Sequence, residues 1–200
     1  MSPILLPMFL FALAGAISPG PVNLMAASIG ASTGFFKALP HVTGASVSYA
    51  GIVWLVGRGF DGILQAYPEI TYLLQWMGAA YLLYLAVKIA TARPIRVIHR
   101  SHDSSVGLLQ GILLQGLNPK AWLVAMSGVS LFVTSGPNAS VLLLTFCCIS
   151  GVVCFFSIAS WAALGRLIGK WLTKVTYQVM FNRAMASMLA ITVVSMLFST

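Results

Sequence analysis

Apolar positions in this chain do not alternate with polar ones at a helical or strand period; they run together in long blocks. Six such blocks are readable, approximately 3–29, 38–57, 70–92, 106–133, 139–165 and 180–199. A helix needs about 20 apolar residues to cross a bilayer, so each block predicts one transmembrane helix. The first, fourth and fifth exceed that length, which suits tilt or interruption. The last opens at Asn182-Arg183, where the charged end can snorkel to the interface. The pattern predicts an all-α integral membrane protein forming one transmembrane domain over residues 1–200. Its halves, 1–92 and 106–200, flank a basic loop over 93–105.

Composition agrees with lipid as the solvent. The chain is 59% hydrophobic and 7% charged, whereas soluble domains carry about 25% charged residues. The net charge of +8 does not indicate nucleic acid. The basic residues form no stripe interleaved with aromatics and lie between the apolar blocks. They act instead as topology determinants. Lys37, then Lys88, Arg93, Arg96 and Arg100, then Arg166, Lys170, Lys174 and Arg183 fall on one side; only Arg58 falls on the other. By the positive-inside rule the rich side is cytoplasmic, and both termini face away from it. The 93–105 loop, basic as it is, reads as part of that anchor, although it can also touch anionic headgroups. Ala12-Leu13-Ala14 resembles a signal-peptidase site, but residues 1–11 contain no Lys or Arg. An uncleaved first helix is therefore expected.

Two blocks are interrupted. Ser18-Pro19-Gly20-Pro21-Val22-Asn23 breaks the first, and Gly116-Leu117-Asn118-Pro119-Lys120-Ala121 breaks the fourth. Proline donates no backbone hydrogen bond, so a helix in lipid should open there and leave polar backbone groups free. An odd number of helices per half requires the second half to be inverted if the halves share a fold. Broken helices opening each of two inverted three-helix repeats would place a substrate site near mid-membrane. Small residues mark close helix contacts: Gly44, Ser48 and Gly51 in the second block, Gly107 and Gly111 in the fourth, Gly165 and Gly169 after the fifth. Such faces are compatible with a homo-oligomer but do not establish one.

Lys120 is the residue that carries most chemistry. A Lys near mid-membrane costs at least about 2.5–3.5 kcal/mol on insertion scales, so it usually faces a partner, a cavity or a substrate. Backbone N–H groups of Val22 and Asn23, and of Lys120 and Ala121, head two new half-helices. Each half-helix N-terminus carries roughly +0.5 of an elementary charge and suits a carboxylate. Asn23 and Asn118 can donate and accept, meeting an ammonium or hydroxyl. The set fits a zwitterion better than a metal, and no metal or cofactor is implied. The bland reading is that the prolines only kink their helices and Lys120 snorkels to water. His41 and Lys120 are candidates for proton coupling, His41 because imidazole titrates near pH 6.5. It can equally be an interfacial cap. The acids Asp61, Glu69 and Asp103 all lie in loops or at span ends, so no intramembrane carboxylate is available for coupling. Cys147, Cys148 and Cys154 lack CxxC or His/Cys spacing and read as spectator thiols. Trp122, one turn past the break, reads as facing the site or as packing.

A secondary transporter follows best from the paired breaks. A passive channel or structural membrane subunit is one rival. A membrane redox enzyme is another, although no cysteine lies near either break. No Walker GxxxxGK[ST] motif occurs, which argues against ATP-driven transport by this chain.

Three stretches together resemble the LysE/RhtB family of amino-acid exporters. They are Ser18-Pro19-Gly20-Pro21 with Asn23, Gly78 through Lys88 (Gly-Ala-Ala-Tyr-Leu-Leu-Tyr-Leu-Ala-Val-Lys), and Gly111 through Asn118-Pro119-Lys120-Ala121. The resemblance covers essentially the full length. The stretch ending Lys88-Ile89-Ala90-Thr91 is particularly similar to the cysteine and O-acetylserine exporter branch. Membership would imply efflux of amino acids or small derivatives across the bacterial inner membrane, exchanged against protons. It would also imply functional importance for Pro19, Gly20, Pro21, Asn118, Pro119 and Lys120.

Overall fold

The computed structural model describes residues 2–18, 20–60, 69, 76, 79–80, 83–84, 86–87, 89–91, 104–133, 138–171 and 175–198. Seven helices can be bounded among the described residues: α1 Ser2–Ile17, α2 Pro21–Thr33, α3 Phe35–Leu55, α4 Ser104–Gly116, α5 Pro119–Phe132, α6 Ala139–Trp171 and α7 Val175–Phe198. No strand occurs among the described residues. Within the third apolar block the described positions from Trp76 to Ala90 are helical. Pro19 and loop residues 93–103 lie outside the described residues.

Proline sets both breaks. Pro21 and Pro119 each occupy the first turn of a helix, where a missing N–H costs no intrahelical bond. α1 and α2 meet at 63° across the first break. α2 and α3 then turn at Gly34, whose φ of 98° favours glycine. α3 continues through a π-helical turn, Val56–Phe60, in which Gly59 has φ 92°.

Phe35–Gly59 and Ala139–Gly169 are each long and apolar enough to cross a membrane, and the bent α1–α2 pair makes a third span if taken as one. The helices outrun their apolar blocks. α3 begins before position 38, α6 runs past 165 to Trp171, and α7 begins at Val175 rather than 180. Loss of hydrophobicity marks the edge of lipid, whereas the hydrogen-bond ladder continues into the polar interface. For the same reason α4 already starts at Ser104, inside the loop expected over 93–105.

Packing centres on α3 and α6. α3 lies against α4 and α6, while α6 also carries α1 and α2. Two of these contacts bring backbones together. A Cβ on Gly44 would lie 2.1 Å from the Leu108 carbonyl oxygen, and one on Gly111 would lie 2.2 Å from that of His41. The Ser48 hydroxyl donates to the Ile112 carbonyl at 3.1 Å in the same α3–α4 seam. Gly165 and Gly30 play the matching part between α2 and α6, where a Cβ would meet the carbonyls of Ala27 and Ala162. Gly51 departs from expectation: it is exposed, and none of the described residues lies within 4 Å of its would-be Cβ. The outward faces present Leu6, Phe36, Leu123 and Phe156 in the open, an arrangement suited to lipid.

Candidate functional site

The two breaks meet. Gly20 and Asn23 from the first, and Asn118 and Lys120 from the second, line one cavity of about 40 Å³. Pro21 and Pro119 stand behind it, shaping the helix starts rather than the wall. His41 is fully buried one layer back, its Nε2 3.4 Å from the carbonyl oxygen of Val22, which itself lines the cavity.

Each break satisfies its polar groups differently. At the first, the Asn23 amide nitrogen donates to the carbonyls of Ala16 at 2.8 Å and Ser18 at 3.0 Å. Asn23 thus bridges the gap between α1 and α2, leaving only its amide oxygen to face a ligand as an acceptor. Trp161 of α6 donates from Nε1 to the Ile17 carbonyl at 3.2 Å. At the second break, the Asn118 side chain caps α5 by accepting from the Lys120 N–H at 3.2 Å. The Ala121 N–H goes to the Asn118 carbonyl at 2.9 Å. Trp122 donates to the Gly116 carbonyl at 2.8 Å, so its indole serves the break rather than the cavity.

This corrects the expectation that both half-helices offer free N–H groups. The N–H groups of Lys120 and Ala121 are already used. At α2, by contrast, Gly20 is the N-cap and supplies no side chain, so no side-chain cap covers the helix start. The anion-ready end is that of α2.

Lys120 is aimed at that end. Its Nζ donates to Ser18 Oγ at 2.6 Å and reaches the Ser18 carbonyl at 3.3 Å. The Ser18 hydroxyl in turn donates to the Gly15 carbonyl at 3.3 Å. A Cβ on Gly20 would lie 3.6 Å from Nζ, so the ammonium sits over the N-cap of α2. A full cation and a helix N-terminus therefore point into the same small space, and the partners of the cation are neutral. Glu69, the one acid among the described residues, is exposed.

Several lining residues escaped the sequence reading: Tyr49 from α3, Gln115 from α4, and Cys154 and Ile158 from α6. Gln115 Oε1 accepts from Asn118 Nδ2 at 3.2 Å, and Gln115 Nε2 lies 3.7 Å from Cys154 Sγ. Cys154 is thus part of the wall and not a spectator, whereas Cys147 is buried elsewhere and Cys148 is exposed. All three are free thiols. Gln115 sits three residues before Asn118, and that spacing was the one available signal. Among the described residues, no group of three or more His, Cys, Asp or Glu side chains is placed to hold a metal.

Comparison with known proteins fits this arrangement. The chain is similar to the cysteine/O-acetylserine efflux protein of Salmonella typhimurium, 30% identical over 84% of this chain and 85% of that protein. The corresponding proteins of Shigella flexneri and Klebsiella pneumoniae are 31% and 29% identical over the same shares. No solved structure matches the chain. The model of the LysE type translocator family matches residues 13–199, spanning both breaks and nearly the whole chain. The chain therefore belongs to the LysE type translocator family, as a transporter and not an enzyme.

Proposed function

We propose that this protein exports amino acids or small amino-acid derivatives from the bacterial cytoplasm by exchange with protons. The observation that carries the reading is Lys120, an ammonium with neutral partners, lying over the side-chain-free N-terminus of α2. A carboxylate placed there would meet a full cation and the positive end of a helix. The Asn23 amide oxygen offers an acceptor to the substrate ammonium. Gly20 leaves room for close approach, Asn118 fixes the start of α5, and Pro21 and Pro119 keep the helices broken. The relatives named as cysteine/O-acetylserine efflux proteins support a substrate of this class.

Six spans in two inverted three-helix halves suit the matching breaks, with both termini away from the cytoplasm. A cavity of about 40 Å³ holds a few waters at about 10–15 Å³ each, not an amino acid. Transport then requires the halves to rock apart, exposing the site alternately to each side. Lys120 and His41 are the groups available to carry the exchanged proton. A homo-oligomer would use surfaces other than the Gly44–Gly111 and Gly30–Gly165 seams, which are occupied within the chain.

The test is amino-acid profiling of medium and cytoplasm from cells expressing the protein, its Lys120→Met variant or an empty vector. A compound that leaves only wild-type cells, and is retained when an uncoupler is added, is the expected result. Release that ignores the uncoupler would replace exchange by passive conduction. An unchanged profile with the protein present in the membrane would overturn the export reading.

A further inference from the structure

We propose that Gln115 and Cys154 form a side-chain subsite that restricts this transporter to small, uncharged side chains able to accept a hydrogen bond. The inference rests on the carboxylate-binding reading above and extends it to the far wall of the same cavity.

Gln115 is 6% exposed and reaches the cavity from the last turn of α4. Its amide orientation is set by Asn118, whose Nδ2 donates to Gln115 Oε1 at 3.2 Å. The Gln115 NH₂ group is thereby turned away from Asn118 and towards α6. There it meets Cys154 Sγ at 3.7 Å, a long bond to a weak acceptor. A buried amide donor held rigidly and served only by a thiol is underused. A substrate hydroxyl or ester carbonyl can replace that contact with a better one. A side chain that cannot accept leaves the donor buried and unpaired, which is how polar sites reject apolar analogues.

Charge and size tighten the selection. No carboxylate lines the cavity among the described residues, so a cationic side chain would share the space with Lys120 and find no counter-ion. An anionic side chain would compete with the substrate's own carboxylate for one ammonium. Tyr49 and Ile158 line the same cavity as Gln115 and Cys154, so a long side chain would have to displace them.

The experiment uses the full-length protein in proteoliposomes, with counterflow of labelled L-serine, O-acetyl-L-serine, L-valine and L-lysine. Wild type should move serine and O-acetylserine in preference to valine and lysine. Gln115→Leu should lower the serine-to-valine ratio by about tenfold or more, and Gln115→Glu should raise lysine relative to serine. Since all four substrates present the same carboxylate and ammonium, a purely structural role for Gln115 would scale them together. That uniform change would overturn the subsite while leaving export intact. A wild type inactive towards all four would overturn the export reading itself and the subsite with it. If the Gln115 variants fail to reach the membrane, Cys154→Ala carries the test. It should shift the balance from serine towards the bulkier O-acetylserine and valine, and ratios equal to wild type would overturn the proposal.

Discussion

Lys120 and Ser18 lie 102 positions apart in sequence and 2.6 Å apart in the structure, so this one contact joins the two broken helices. A hydrogen bond involving a charged group contributes about 1.5–3 kcal/mol. Removing the ammonium by Lys120→Met should therefore weaken substrate binding about ten- to a hundredfold. The same change removes a cation that has no anionic partner among the described residues, so thermal stability in detergent should hold or rise. A Lys120→Met protein that melts far below wild type would make the residue a structural one. Ser18→Ala argues the opposite direction. Ser18 does not line the cavity, yet its oxygen holds the ammonium that a carboxylate would claim. Loss of the hydroxyl should release Lys120 and lower the KM for export a few-fold; a raised KM would show that Ser18 orients Lys120 instead. Lys120, Gly20 and Asn118 were legible in sequence because a cation, a break and a cap in lipid are locally improbable. Ser18 as the partner, and Gln115, Tyr49 and Cys154 as wall, were not, because an ordinary residue becomes part of a site only through contacts distant in sequence.

At the scale of elements, glycine decides which helices can touch. The Gly44 and Gly111 positions leave no room for a side chain, since a Cβ at either would fall 2.1–2.2 Å from a carbonyl oxygen of the other helix. Backbone cannot step aside as a flexible side chain can. Gly44→Ala should therefore force α3 and α4 apart and cost about 1–3 kcal/mol, the usual range for overpacking. Gly51→Ala is the internal control. It lies on the same helix in open space, so its melting temperature should stay at or slightly above that of wild type, as helix propensity favours Ala. Thermal melts of the two purified variants decide the matter, and equal losses would mean the seam is not what holds the pair. In sequence these positions carry one reading, because helical spacing treats Gly44, Ser48 and Gly51 alike. Only the crossing point of two helices distinguishes them. Breaks, by contrast, were readable directly, since Pro at a helix start acts through its own backbone.

For the molecule as a whole, the packing on the two sides of the cavity differs in kind. Under the orientation proposed from the loop charges, α2, α4 and the C-terminal part of α6 would lie towards the cytoplasm. There the seams are backbone on backbone, through Gly30, Gly44, Gly111 and Gly165. Towards the other side the packing is aromatic. Phe11, Phe132 and Phe146 come from α1, α5 and α6, with ring centroids 5.6–6.3 Å apart. Each lies further from the cytoplasm along its helix than the lining residues Gly15, Val124 and Cys154 respectively. Rings can swing aside by rotamer changes, whereas a backbone seam opens only if whole helices separate. The outer packing should thus yield first when a contact is trimmed. Cys154 supplies a reporter inside the cavity, once Cys147 and Cys148 are replaced by Ser. In that background Phe146→Ala should speed modification of Cys154 by a membrane-impermeant thiol reagent several-fold when the reagent is added outside intact cells. Added to the cytoplasmic face in inverted vesicles, the reagent should react at the parent's rate. Acceleration from the cytoplasmic face instead would reverse the orientation derived from the loop charges. Equal rates on both faces, with and without Phe146, would mean that the aromatic cluster packs the helices and closes nothing.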